Sequence, residues 1–162
     1  MHNEMEVYKI SLTPTLLNLL LDALFRGRYF DRVEETFFQY SSRTRPNRIT
    51  YNILFKAICQ GRYVRKKSSE INRAKTLALN DKPEESRAKS EFTEKIQGLL
   101  NEMESRGIRI ADDTWCTILD GCQSDVPLCL ELFSRLSNAS QRMEEGKKVI
   151  WANLLASCSM NK

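Results

Sequence analysis

The sequence predicts an all-helical protein built from stacked helical hairpins, and three observations support this fold class. A self-similarity of 34 residues is present, because residues 16–29 align without a gap on residues 50–63. Within each copy, apolar residues recur at spacings of three and four, which is the period of one helix face. Hydrophobic residues make up 41% of the chain and charged residues 28%, a balance typical of a folded soluble domain. Since one hairpin cannot cover its own apolar face, neighbouring hairpins must stack on it, which predicts a solenoid.

Each repeated segment is predicted to begin with a short amphipathic helix. In the second copy four residues lie on one face of that helix: Tyr51, Leu54, Phe55 and Ile58. We expect Gly61 to end the helix, because glycine commonly occupies the turn after a helix C-terminus. Weaker copies return at residues 113–122 and 149–158, with Trp115 and Trp151 at the position of Tyr51. Both tryptophans are interpreted as packing residues rather than stacking platforms.

A second amphipathic helix is predicted to follow in each repeat, over Phe30–Tyr40, Lys95–Arg106 and Leu128–Leu136. The spacing between equivalent positions is 34, 64 and 36 residues, so the second repeat carries an insertion. The predicted organisation is an N-terminal extension (1–12), repeat 1 (13–46), repeat 2 (47–110), repeat 3 (111–146) and half of repeat 4 (147–162). The insertion is an arm at about residues 64–90, and we expect residues from Glu84 onward to lengthen the second helix of repeat 2.

The net charge of +4 is concentrated in this inserted arm. Residues 64–90 contain eight basic and four acidic side chains, so the rest of the chain is neutral overall. Lysine and arginine at this density can neutralise RNA phosphates. The candidate backbone-binding residues are Arg65, Lys66, Lys67, Arg73, Lys75, Arg87 and Lys89. A solvated charged helix and a protein contact are the alternatives for this arm.

The residue types needed for common active sites are missing from the sequence. The only histidine is His2, so neither a Ser-His-Asp nor a Cys-His catalytic pair can form. The five cysteines form no CxxC pair and no zinc-binding spacing, and they fall in apolar patterns, which favours reduced thiols in the core. No glycine-rich phosphate loop and no apolar run of the ~18 residues needed to span a bilayer is present. We therefore predict a protein without catalytic residues, cofactor, metal or membrane segment, and the N-terminus shows no presequence.

Three segments resemble the pentatricopeptide repeat family. Residues 49–59 (Ile-Thr-Tyr-Asn-Ile-Leu-Phe-Lys-Ala-Ile-Cys) and 149–158 (Val-Ile-Trp-Ala-Asn-Leu-Leu-Ala-Ser-Cys) are similar to that family's first helix. Residues 99–108 (Leu-Leu-Asn-Glu-Met-Glu-Ser-Arg-Gly-Ile) are similar to its second helix and exit turn. The resemblance spans Thr13 to Cys158 apart from the inserted arm. It implies a right-handed α-solenoid of about three and a half repeats, association with organellar RNA, and a mitochondrial location.

The resemblance also implies which residues read bases, with one reader in the first helix and one just before the next first helix. The first pair is Asn18 with Asn47, and the second is Asn52 with Ala111, or with Asp112 if the register slips by one. The third pair, Cys116 with Lys147, departs from the family's polar pattern, as does Ala111. The alternative for the asparagines is that they cap helices or form hydrogen bonds between helices.

Two functions are consistent with the sequence. The first is a non-catalytic subunit that binds RNA backbone and neighbouring proteins in a mitochondrial ribonucleoprotein, such as the mitochondrial ribosome or its assembly intermediates. The second is a helical-repeat adaptor that binds protein and has no RNA contact. In both cases the uncapped last half-repeat predicts an apolar face at Trp151, Leu154 and Leu155, since a terminal repeat leaves such a face. We expect a protein interface there, and a missing continuation of the chain is the alternative cover.

Overall fold

The computed structural model describes residues 12–75, 82–122 and 126–139, and all regular secondary structure in these ranges is helical. The six helices are α1 (Pro14–Arg26), α2 (Phe30–Tyr40), α3 (Arg48–Lys75), α4 (Lys82–Ser105), α5 (Asp112–Gly121) and α6 (Val126–Ala139). The predicted all-helical class is confirmed. The second helix predicted over Phe30–Tyr40 has the predicted bounds. Helix α6 contains the one predicted over Leu128–Leu136, and α4 contains the one predicted over Lys95–Arg106 except for Arg106, which lies in the turn that follows.

Helices α1, α3 and α5 begin at equivalent positions of the repeated sequence, 34 and then 64 residues apart. The fourth residue of each helix is buried: Leu17, Tyr51 and Trp115. The eighth residue of each is buried as well: Leu21, Phe55 and Leu119. Full burial of a side chain of this size contributes about 1.5–3 kcal/mol. The repeated apolar pattern therefore becomes one shared core, and Trp115 is a packing residue as predicted.

Two turns after helices have the same hydrogen-bond pattern but different residues at the critical position. After α4, Gly107 has φ +67°, and the amides of Gly107 and Ile108 donate to the carbonyls of Glu104 and Met103. After α1, the amides of Arg28 and Tyr29 donate to the carbonyls of Phe25 and Leu24. Arg28 has φ +62°, a conformation that usually selects glycine at the end of a helix.

The prediction that Gly61 ends a helix is wrong, because α3 continues through Gly61 to Lys75. Three neighbouring contacts explain the continuation. A Cβ at Gly61 would lie 3.1 Å from the Cβ of Phe30, so α3 passes close to α2 there. Arg62 lies over the ring of Phe92 at 4.1 Å from its centroid, and Arg65 donates to Asp31 at 2.6 Å. These contacts with α2 and α4 oppose the ~1 kcal/mol cost of glycine inside a helix.

Helix α3 packs against α1, α2 and α5, and we call α1, α3 and α5 the first row of helices. We call α2, α4 and α6 the second row, because polar side chains join them. Polar side chains join members of that second row: Lys95 bonds Glu34 at 2.9 Å, Gln97 bonds Glu131, and Arg135 bonds Asn101. Lys82 and the residues after it lengthen α4, as predicted for Glu84 onward.

Candidate nucleic-acid interface

The first junction is the contact between α1 and the start of α3, and it contains a closed polar cluster. The side chain of Asn47 caps α3, because its Oδ1 accepts from the amides of Ile49 at 3.0 Å and Thr50 at 3.1 Å. In return the amide of Asn47 donates to Thr50 Oγ1 at 3.0 Å. Asn18 completes the cluster: its Nδ2 donates to Asn47 Oδ1 at 3.2 Å, and its Oδ1 accepts from Thr50 Oγ1 at 2.6 Å. The first predicted pair of base readers thus consists of two side chains that contact each other.

The second junction is the contact between α3 and the start of α5, and its polar residues are arranged differently. Ala111 is the N-cap residue of α5 and forms no side-chain cap, although its φ of −84° and ψ of 159° are those of a capping residue. Asn52 occupies the position of Asn18, the fifth residue of its helix. Its Nδ2 donates to Asp113 Oδ2 at 2.7 Å, so its partner is neither Ala111 nor Asp112.

Two buried polar atoms in the second junction lack a partner within the described part of the chain. They are the Oδ1 of Asn52 and the Oγ1 of Thr114. Thr114 stands at the position of Thr50, whose hydroxyl bonds both asparagines of the first junction. Ala111 has no side-chain oxygen, so it cannot replace Asn47 Oδ1 as the acceptor for the next helix start and for the asparagine of the preceding helix. The bond between the threonine hydroxyl and the asparagine Oδ1 is also not formed, although Thr114 and Asn52 keep both groups. Leaving such an atom unpaired costs about 1–3 kcal/mol.

The predicted backbone-binding residues lie along α3 and the first half of α4. Lys67 and Arg87 are exposed, and Arg65 is exposed but pairs with Asp31 at 2.6 Å. Lys89 is half-buried and has a polar or electrostatic partner. Lys66, Arg73 and Lys75 belong to the helical backbone of α3, and the structure does not describe their side chains. Helix α3 extends about 20 Å beyond Arg62, at 1.5 Å per residue.

Arg62 is a basic residue whose role sequence reasoning missed. Besides lying over the Phe92 ring, it donates to the carbonyl of Gly121 at 3.3 Å and so bonds the last turn of α5. It therefore joins α3, α4 and α5. The repeat aligns Arg62 with Arg28, which is an exposed turn residue. The alignment therefore did not indicate that Arg62 joins three helices.

Apolar side chains are also exposed beside the asparagines, on the outward face of α1 and α3. Leu19 is 63% exposed and Ile49 is 56% exposed. The predicted protein interface at Trp151, Leu154 and Leu155 lies outside the described residues.

The buried cysteines are placed for packing. Cys59, Cys122 and Cys129 are free and buried, as the sequence predicted, whereas Cys116 is free and half-buried. Cys158 lies outside the described residues. Burial raises the pKa of Cys59 to about 12, opposed by nearby Arg62. A hydrogen bond with Cys129, together with burial, raises the pKa of Cys122. Protonated thiols are poor nucleophiles and poor metal ligands.

Within the described ranges no group of histidine, cysteine or acidic side chains is arranged to hold a metal ion. In the same ranges no helix has both the length and the apolar composition needed to cross a membrane. No model of a known protein family matches the chain, and no curated protein is significantly similar to it.

Proposed function

We propose that this chain is a non-catalytic subunit of a mitochondrial ribonucleoprotein, such as the mitochondrial ribosome or its assembly intermediates, and that it binds RNA backbone and neighbouring proteins. In this proposal the helix pairs are pentatricopeptide-type repeats, about three and a half in number, that form a right-handed solenoid. Two observations support the repeat interpretation. Helices α1, α3 and α5 begin at equivalent positions of the repeated sequence, and the residues buried in them are equivalent as well. The mitochondrial location rests on the family resemblance of the sequence.

The observation that carries the proposal is the concentration of positive charge on the long α3–α4 pair. The entire net charge of +4 belongs to residues 64–90, and the described parts of this segment are helical. Exposed cations such as Lys67 and Arg87 can approach phosphates, and the release of condensed counterions favours such contacts. A protein that binds only the RNA backbone does not need side-chain amides that are free to contact bases. The hydrogen bonds of Asn18 with Asn47 and Thr50 in the first junction agree with this mode of binding.

The test is RNA affinity as a function of salt, measured by fluorescence anisotropy with a labelled oligouridine. We expect a linear fall of log K with log salt, with a slope of about −0.7 per neutralised phosphate of a single strand. Reversing four charges together (Lys66→Glu, Lys67→Glu, Arg73→Glu and Lys75→Glu) should weaken binding roughly tenfold or more and flatten the slope.

A control variant with the same change in net charge shows whether the loss of RNA affinity depends on where the charges lie. It carries Arg28→Glu, Arg32→Glu, Arg45→Glu and Arg48→Glu, four exposed residues outside the basic arm. At physiological ionic strength charges act over about 8 Å, so this control should bind RNA nearly as the wild type does. Equal losses in both variants, or no RNA binding by the wild type, would contradict the proposal.

The exposed apolar residues Leu19 and Ile49 favour a second candidate, the protein-binding adaptor without RNA contact. Sedimentation of the tagged chain in mitochondrial extract distinguishes the two functions. The ribonucleoprotein subunit should move to lighter fractions after ribonuclease treatment, whereas an adaptor should remain with its particle.

A further inference from the structure

A stripe runs along α3 from its first turn to past Gly61, and it is exposed except at Ile53 and Lys56, which are half-buried. It consists of residues spaced alternately by four and three, which places them on one face: Ile49, Ile53, Lys56, Gln60, Tyr63 and Lys67. Tyr63 is 67% exposed, the largest fraction among the described large apolar side chains, and Gln60 and Lys67 are exposed too. Because α3 does not stop at Gly61, Tyr63 and Lys67 extend this face.

The stripe of α3 differs in charge from the corresponding faces of its neighbours. It carries Lys56 and Lys67 and no acidic residue. At the position of Lys56, α1 has Asp22 and α5 has Asp120. Asp22 also pairs with Arg26 at 2.7 Å, which neutralises the charge on α1. Of the three first-row helices, α3 alone therefore presents a face suited to a polyanion.

We propose that this stripe binds single-stranded RNA, with one unpaired base stacked on the ring of Tyr63 and the flanking phosphates bound by Lys56 and Lys67. The inference rests on the RNA-binding function proposed above and adds a specific contact to it. Sites for single strands combine cations that follow the backbone with aromatic rings on which bases stack. Tyr63 has a lysine one turn beyond it (Lys67) and another two turns before it (Lys56), so one ring lies between two cations.

Stacking on a tyrosine accepts any base, so the proposed contact does not select sequence. The first junction does not select sequence either, because the side-chain amides that could contact base edges are hydrogen-bonded within the junction. A strand held in this way would be recognised as single-stranded and anionic rather than by its bases.

The experiment compares Tyr63→Ala with Tyr29→Ala, using a fluorescein-labelled oligouridine and the full chain. Tyr29 is the equivalent tyrosine of the first repeat copy and is 63% exposed, so both variants remove the same ring from a similarly exposed site. We expect Tyr63→Ala to weaken binding roughly five- to hundredfold without changing the salt slope, and Tyr63→Trp to retain binding. Tyr29→Ala should bind as the wild type does. Circular dichroism of each variant confirms that the helices are intact.

A second probe separates stacking from charge. On an abasic strand with the same sugar-phosphate backbone, Tyr63→Ala should cause no further loss, because no base is left to stack. Lys67→Ala should weaken binding to both probes and reduce the magnitude of the salt slope by about 0.7.

The outcomes keep the two proposals distinct. If the fourfold charge reversal abolishes binding while Tyr63→Ala does not affect it, the stacking site is overturned and backbone binding stands. Equal losses for Tyr29→Ala and Tyr63→Ala would also overturn the site. Loss of a protein partner by Tyr63→Ala, with RNA affinity unchanged, would assign the stripe to protein. Failure of the wild type to bind either strand overturns both.

Discussion

The two junctions have the same backbone plan but are stabilised by different interactions. In each, the fifth residue of one helix faces the start of the next first-row helix, and a buried threonine occupies the third position of that next helix. At the first junction, Asn18, Asn47 and Thr50 form a closed set of hydrogen bonds. At the second, Asn52 bonds Asp113, and Thr114 is left without a partner in the described structure.

The second junction has further close contacts at the C-terminal end of α5. There α5 approaches α3 so closely that a Cβ at Gly121 would lie 2.4 Å from the Sγ and 2.8 Å from the Cβ of Cys59. Arg62 bonds the carbonyl of the same glycine. Equal spacing in the repeat places the helix starts alike, while the residue before each start, Asn47 or Ala111, determines whether a side chain caps the next helix.

The largest effect is expected from Gly121→Ala, which tests the close contact of the second junction. The new methyl group would meet Cys59, and relieving this overlap requires α5 to shift, so we expect a loss of about 2–3 kcal/mol in unfolding free energy. Urea unfolding followed by circular dichroism measures this loss.

Gly98→Ala is the matched control, because no atom lies within 4 Å of its added Cβ. That variant should gain up to about 1 kcal/mol as alanine replaces glycine inside α4. Stabilisation by both variants would show that the second junction is not tightly packed.

A smaller loss is expected from Asn47→Ala, which makes the first junction resemble the second. The change removes the cap of α3 and the partner of the Asn18 amide, and loss of a cap costs about 0.5–2 kcal/mol. We expect a loss of about 1–2 kcal/mol by the same urea measurement. Asn47→Asp keeps the capping oxygen and should recover most of it. If Asn47→Ala unfolds at the wild-type urea concentration, the polar cluster is not what stabilises this junction.

The smallest effect, with the opposite sign, is expected from Ala111→Asn, which gives the second junction the cap of the first. The backbone of Ala111 already has a capping conformation, so the new side chain needs no rearrangement to accept from the first turn of α5. We expect a gain of about 0.5–1 kcal/mol in unfolding free energy. Ala111→Leu, which adds a side chain without a capping oxygen, is the control and should give no gain. A loss of stability for Ala111→Asn would mean that the two junctions are not equivalent at this position.

The candidate site could be predicted only in part. The repeat correctly placed Asn18, Asn47 and Asn52 next to first-row helix starts, and the alternative that they bond between helices describes what Asn18 and Asn47 do in the structure. The pattern did not indicate that Asn52 would pair with Asp113, because this bond joins residues 61 positions apart in the chain. The continuous helix that joins Tyr63 and Lys67 to the repeat was missed because Gly61 was expected to end the helix. Whether any of these residues contacts RNA stays a prediction.

The sequence by itself determined the helical class, the starts of the first-row helices and the buried positions of the repeat. The helical class and the buried positions follow from the spacing of apolar residues, and the helix starts follow from the repeat. The conformations of the two aligned Gly-Arg-Tyr segments depend on tertiary contacts. At residues 27–29 the chain leaves the helix, with Arg28 at φ +62°, and at residues 61–63 it remains helical. The physical reason is that Arg62 and Arg65 find partners on α2, α4 and α5 only if α3 continues, and contacts between distant segments are not encoded in local sequence.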